Sequence, residues 1–122
     1  MILADTSVWI DHFRAGNDQL AGLLDTGRIL AHPFVLGEIA LGHLRQRDIV
    51  LSALADLPQA TVATDAEVLH VIERHALHGR GIGYVDAHLL AAVRLTAGAE
   101  LWTHNRRLQS VAEQLDVAVK FP

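Results

Sequence analysis

Three carboxylates interrupt apolar runs in this 122-residue chain, and any fold that buries those runs must give each carboxylate a partner. Asp5 ends Met1-Ile2-Leu3-Ala4, Glu38 lies inside Val35-Leu36-Gly37-Glu38-Ile39-Ala40-Leu41, and Asp86 stands near the head of Tyr84-Val85-Asp86-Ala87-His88-Leu89-Leu90-Ala91-Ala92-Val93. An unpaired carboxylate near a core carries a desolvation penalty of several kcal/mol. If the three converge, the least costly partner for their charge is a divalent cation, and oxygen-only ligation suits Mg²⁺ or Mn²⁺.

The runs alternate in kind. Residues 1 to 5 read as a short buried strand, and residues 7 to 15 as a helix with Thr6 or Ser7 as its N-cap. A second helix runs from about Asp18 to Asp25 and ends at Gly27, before a strand at Arg28-Ile29-Leu30-Ala31. Pro33 opens a helix through about His43, since proline is tolerated in a first turn. Residues 48 to 56 form another, closed by Pro58, and Ala60 to Ala63 reads as a short strand. Thr64 and Glu67 have capping-box spacing for a helix reaching about His78. Gly79-Arg80-Gly81-Ile82-Gly83 is a hinge before a helix that lasts until Gly98. A strand at Leu101-Trp102-Thr103, a helix from Asn105 to Leu115 and a strand at Val117-Ala118-Val119 complete the chain.

Strands alternating with helices predict an α/β fold, with a short, mostly parallel central sheet flanked by helices on both faces. In such sheets ligands bind beyond the carboxyl ends of the strands. Asp5 and the group Thr103, His104 and Asn105 are expected at those ends, and Glu38 and Asp86 sit early in helices able to pack over the same edge.

The length is that of one domain, and a 51% hydrophobic composition is enough for a core. The absence of cysteine excludes disulfides and thiolate chemistry and fits a reducing, cytoplasmic setting. The apolar start meets Asp5 at once, so no signal peptide is expected, and no run approaches the ~18 apolar residues of a membrane span. A net charge of −4 counts against a simple nucleic-acid coat, though less against a nuclease whose acidic site is offset by cations.

With these motifs in view, a family resemblance emerges. Ile2-Leu3-Ala4-Asp5-Thr6-Ser7-Val8-Trp9-Ile10 resembles the start of PIN-domain proteins. Val35-Leu36-Gly37-Glu38, Tyr84-Val85-Asp86-Ala87-His88-Leu89-Leu90-Ala91 and Leu101-Trp102-Thr103-His104-Asn105-Arg106-Arg107-Leu108 are similar to their second, third and fourth motifs, in order and at matching spacing. The resemblance covers essentially residues 1–122 as a single PIN domain. At this length the chain looks most like the VapC toxins of type II toxin–antitoxin modules. That implies a three-layer PIN fold, a Mg²⁺- or Mn²⁺-dependent endoribonuclease, a homodimer and a cognate VapB-type antitoxin.

By the same resemblance, Asp5, Glu38 and Asp86 would hold the metal, and Thr6, Ser7 and Thr103 would orient the carboxylates or a water. The family usually carries an acid where this chain has Asn105, which removes a negative charge and predicts weaker binding of a second cation. Asn105 would position water or that cation. Arg106 and Arg107, directly after the fourth motif, are candidates for phosphate contact, as are Arg14, Arg80 and Arg94.

Each residue also has a plainer reading. Asp5 alone is an ordinary N-cap, Glu38 could face solvent or pair with Arg45, and Asp86 could simply favour a helix start. Joint occurrence in motif order argues against all three together. His70, His75 and His78 lack the companions of a zinc site, and His104 is a possible RNA contact or proton shuttle. Two rivals stand beside the nuclease: a PIN-fold binding or regulatory protein weakened by Asn105, and a receiver-like domain. The latter suffers because Lys120 is the sole lysine. A phosphatase or DNA nuclease would use the same metal chemistry.

Overall fold

The computed structural model describes residues 1–121. Three parallel strands, β1 (Ile2–Ala4), β2 (Ile29–Leu30) and β3 (Glu100–Trp102), form one sheet in the order β2-β1-β3. Seven helices surround it: α1 (Thr6–Ala15), α2 (Asp18–Asp25), α3 (Pro33–Ala40), α4 (Arg47–Ala55), α5 (Asp65–Arg74), α6 (Tyr84–Leu95) and α7 (Arg106–Gln114). The α/β architecture read from the sequence is the one observed.

The strands are short because each needs only to cross a sheet that helices cover. Leu3, Ile29 and Leu101 are fully buried, and Leu3 registers with both Leu30 and Leu101. Helix α6 is the most deeply sunk, with every residue from Ala87 to Val93 buried. Its small Ala87, Ala91 and Ala92 let neighbouring elements approach, and α5 packs along it. At roughly 1.5–3 kcal/mol for each fully buried aliphatic side chain, this core is the principal stabilising term.

Two expected strands shrink to single parallel bridges. Residues 60–63 form no strand; Gln59 instead bridges Ala31, flanked by Ala31 N–H to Pro58 O at 2.7 Å and Ala60 N–H to Ala31 O at 2.9 Å. Pro58 has no N–H with which to extend that ladder. At the other end Ala118 bridges Leu101, so residues 117–119 contribute one rung and not a strand. Helix ends also move inward. Helix α5 stops at Arg74 and not His78, because Ala76 turns into the left-handed region at φ 53°. Helices α3 and α6 end at Ala40 and Leu95, short of His43 and Gly98. Among the described residues no helix is long and apolar enough to cross a membrane.

The strand order decides where a site can form. The chain passes from β1 to β2 on one side and returns to β3 on the other, so β1 is the point of reversal. A crevice opens beside the carboxyl ends of strands at such a point. The first residues past β1 and β3 are Asp5 and Thr103, and Asp5 N–H donates to Trp102 O at 3.0 Å across the two strands.

Candidate functional site

Asp5 leaves β1 in an extended conformation and caps α1, with Oδ1 accepting from Val8 N–H at 3.2 Å. The plain N-cap reading of Asp5 is therefore correct as far as it goes. It is incomplete, because Ser7 Oγ also donates to Oδ1 at 2.5 Å and Thr103 Oγ1 donates to Oδ2. Both hydroxyls are held in turn: His104 N–H donates to Ser7 Oγ and Asn105 N–H to Thr103 Oγ1, each at 3.0 Å. Two strand ends, residues 5–7 and 103–105, thus interlock around a single carboxylate that is only 5% exposed.

Glu38 projects from α3 into solvent contact, and Thr6 Oγ1 donates to its Oε1 at 2.7 Å. Thr6 is the first residue of α1, so this bond ties the second acidic motif to the first. It also replaces the Arg45 pairing allowed by sequence. The half-buried Asp86, in the first turn of α6, accepts from Gly83 N–H at 3.0 Å through Oδ2. Its carboxyl pKa is raised, first by burial and then by the negative charges of Asp5 and Glu38, against the lowering effect of the Gly83 bond. The effect of Asp5 and Glu38 on Asp86 places the three acids near one another, although their motifs are far apart in the chain.

The donor chemistry fits a hard, oxygen-preferring divalent cation, which would relieve the repulsion felt at Asp86. The spacing does not preform a cage: among the described residues no three His, Asp or Glu side chains close around one point. A cation that keeps several of its waters, as Mg²⁺ does, tolerates such an open arrangement.

The fourth motif behaves differently from its sequence reading. Asn105 caps α7, and its Oδ1 accepts from Arg107 N–H at 3.0 Å and Leu108 N–H at 3.1 Å. The oxygen that a cation or water would need is already engaged. His104 turns to α1, where Nδ1 meets Asp11 Oδ2 at 2.5 Å, and Asp11 also pairs with Arg14 at 2.8 Å. Arg14 is thereby occupied as well. Arg107 lies across the α5–α6 connection: a Cβ on Gly81 would sit 2.8 Å from Arg107 Cδ. Gly81 has φ 78°, a left-handed backbone that favours glycine, whereas the arginine end above it is flexible enough to shift. Arg80 reaches α7 by donating to Gln114 Oε1. The glycine-rich segment is consequently fastened to α7 and is less free than a hinge.

Sequence reasoning missed a buried polar cluster beside the acids. His32, 1% exposed, caps α3 by accepting from Phe34 N–H at Nδ1, 3.0 Å away. His88, 2% exposed, meets Asp65 Oδ1 through Nε2 at 3.2 Å, and Tyr84 Oη donates to the same oxygen at 2.9 Å. Phe34 lies against both imidazoles, with centroids 5.2 Å from His32 and 4.6 Å from His88. Burial and the neighbouring His88 lower the His32 pKa to about 4. A histidine immediately before a helix-opening proline was the available signal for this cap.

A shallow groove of 320 Å³ runs beside Glu38 between α1 and the end of α3, lined by Ile10, Phe13, Ile39 and Leu44 among others. Leu41, next to it, is 90% exposed.

Comparison with known proteins gives a consistent picture. The PIN domain family profile matches residues 2–114. Two curated relatives, each named Ribonuclease VapC32, come from Mycobacterium tuberculosis strains CDC 1551 / Oshkosh and ATCC 25618 / H37Rv. Each is 49% identical over 119 residues, which cover 98% of this chain and 96% of the relative.

Proposed function

The chain belongs to the PIN-domain family, and from that membership we propose that it is a metal-dependent endoribonuclease, the toxin of a VapC-type toxin–antitoxin pair. Residues 1–122 would constitute one PIN domain. The likeness to ribonucleases along nearly the whole chain supports the reaction class. The observation that carries the residue assignment is the interlock of residues 5–7 with 103–105 around the Asp5 carboxylate, with Thr6 tying Glu38 to the same end of α1; burial and then the charges of Asp5 and Glu38 raise the Asp86 pKa, in keeping with a third acid nearby. Three carboxylates from separate motifs share one field, which has no other evident use.

Asp5, Glu38 and Asp86 would hold Mg²⁺ or Mn²⁺. When bound, such an ion offsets charge on the phosphate and lowers the pKa of a coordinated water. The chain's own part is orientation. Ser7 and Thr103 fix both oxygens of Asp5. Thr6 steadies Glu38, which would otherwise move freely in solvent. Gly83 N–H holds Asp86 against its own repulsion from the other acids.

Water would attack the phosphorus of an RNA phosphodiester in line with the departing 3′ oxygen. The water loses a proton, the P–O3′ bond breaks, and the oxyanion takes up a proton, leaving a 5′-phosphate and a 3′-hydroxyl. Arg106 is exposed and Arg107 is seated on the loop before Asp86, so both are available to phosphates flanking that bond. Asn105 contributes by setting the start of α7, and with it the place of these arginines.

A VapB-type antitoxin would be the partner, and the protein would work as a homodimer. The apolar groove beside Glu38, with Leu41 exposed at its edge, supports a protein partner that reaches the acidic site. The nonenzymatic alternative draws no support from Asn105, which performs the capping role an aspartate would perform there.

Cleavage of total RNA by the purified protein, with Mn²⁺, with EDTA and with Asp5→Asn in parallel, tests the reading. Cutting that requires both metal and Asp5 is expected. Cutting that survives EDTA or Asp5→Asn would overturn it.

A further inference from the structure

A cationic groove lies away from the acidic crevice, on the outer face of α5 and α6. It has a volume of 480 Å³, a partly apolar floor that includes Val71 and Leu95, and four basic side chains: His70, Arg74, His75 and Arg94. With the histidines neutral, two arginines against one glutamate leave the groove net positive in a chain of net charge −4. Neither Arg74 nor Arg94 is ion-paired among the described residues. The only acid lining the groove, Glu67, is turned to the capping box, where its Oε1 accepts from Thr64 N–H at 2.9 Å.

The two arginines act on the imidazole between them. The His75 pKa is lowered, after a contribution from burial, by Arg94, Arg74 and His70. Burial is the larger cause, and the arginine charges add to it in a direction that an anion would relieve. Each arginine occupies the last turn of its helix, where the helix dipole alone favours a cation. The dipole does not explain why two helices deliver their guanidinium groups to one groove.

The location is informative. Asp86 and Arg94 are both on α6, about 12 Å apart along its axis and about 80° apart around it. A single RNA strand leaving the acidic crevice along this helix reaches the groove within a few nucleotides. We propose that the groove is a second RNA subsite, in which Arg74 and Arg94 take backbone phosphates away from the scissile bond. This proposal rests on the nuclease reading for the identity of the ligand. Guanidinium groups bind phosphate oxygens bidentately, and the apolar floor accommodates sugar or base without selecting among them. The groove would add affinity and direction to the strand, and base identity would be read elsewhere.

The test is the salt dependence of binding of a fluorescent single-stranded oligoribonucleotide, measured in EDTA so that no cutting occurs. Each phosphate contact contributes about −0.7 to the slope of log K against log salt for single strands. Arg74→Ala and Arg94→Ala should each flatten the slope by about 0.7, and the double variant by about 1.4. Arg28→Ala, at an exposed position just before β2, should leave it unchanged. All three arginines are exposed, so these changes leave the fold intact, which thermal unfolding checks. An unchanged slope in the double variant, or failure of the unaltered protein to bind the oligonucleotide, overturns the proposal. Cleavage with Mn²⁺ is scored separately. A flattened slope without cutting by any form retains the groove and removes the nuclease reading. Normal cutting with an unchanged slope retains the nuclease and removes the groove.

Discussion

Thr103 Oγ1 donates to Asp5 Oδ2 across 97 intervening residues, and it simultaneously accepts the N–H of Asn105. One buried hydroxyl therefore fixes a carboxylate at the end of β1 and the start of α7 at the end of β3. Thr103→Val keeps the shape and removes both bonds. It should destabilise the protein by about 1–3 kcal/mol, because it leaves a buried donor and acceptor unmatched. It should also lower metal-dependent cleavage by about 10- to 100-fold, the usual effect of losing a group that orients a ligand. Denaturant unfolding and cleavage rates check the two separately, and unchanged cleavage would detach Thr103 from the site.

Asp86 carries a charge held at a cost in stability. Its folded-state pKa is raised, so its ionised form is less welcome in the native protein than in the unfolded chain. Asp86→Asn can still accept from Gly83 N–H and carries no charge. In EDTA at neutral pH it should melt at a higher temperature than the unaltered protein, and it should not cut RNA. Adding Mn²⁺ should raise the melting temperature of the unaltered protein and do little for the variant. A lower melting temperature for Asp86→Asn in EDTA would contradict this account.

Asn105 separates capping from charge. Asn105→Asp preserves an N-cap of similar quality and adds a negative charge where the dipole of α7 favours one. Stability should change by less than about 1 kcal/mol, whereas Asn105→Ala should lose about 1 kcal/mol. If the position also faces a cation, calorimetry should show tighter Mn²⁺ binding by Asn105→Asp. Unchanged affinity would confine the residue to its structural role.

His32 predicts a pH dependence of stability. Its Nδ1 can accept from Phe34 N–H only when that nitrogen is unprotonated, and its folded pKa is about 4 against an ordinary 6.5. Because the folded value is the lower, the unfolded chain takes up the proton first as pH falls. The stabilisation is fully present above about pH 6.5 and drains away between there and pH 4, up to about 3 kcal/mol. His32→Asn retains a capping acceptor and cannot titrate in that window. Urea unfolding at pH 7, 5.5 and 4.5 should show a shallower decline for the variant; parallel declines would locate the dependence elsewhere.

Much of the site was legible from local rules. The apolar run before Asp5 fixed a buried strand, and its end fixed where a carboxylate would stand. Thr64 and Glu67 announced a capping box that is present. Fold class followed from alternation alone. The strands at 60–63 and 117–119 failed because an apolar run does not disclose how many partners a ladder will give it. The reach of α3, α5 and α6 was overstated because a helix end is set by backbone turns, such as the left-handed Ala76, that composition does not reveal.

Taken alone, the sequence determined what each motif can do chemically: carboxylates that bind hard cations, hydroxyls that orient them, arginines that meet phosphate. Those properties belong to side chains and to their neighbours in the chain. Only the tertiary structure decided which of them act together. The parallel order β2-β1-β3 sets Asp5 beside Thr103, and the fold built on it takes His104 away to Asp11 and lays Arg107 over Gly81. It also gathers Arg74 and Arg94 from two helices into one groove. Hydrogen bonds and electrostatic fields act over a few ångströms, and distances on that scale between residues remote in sequence exist only once the chain has folded.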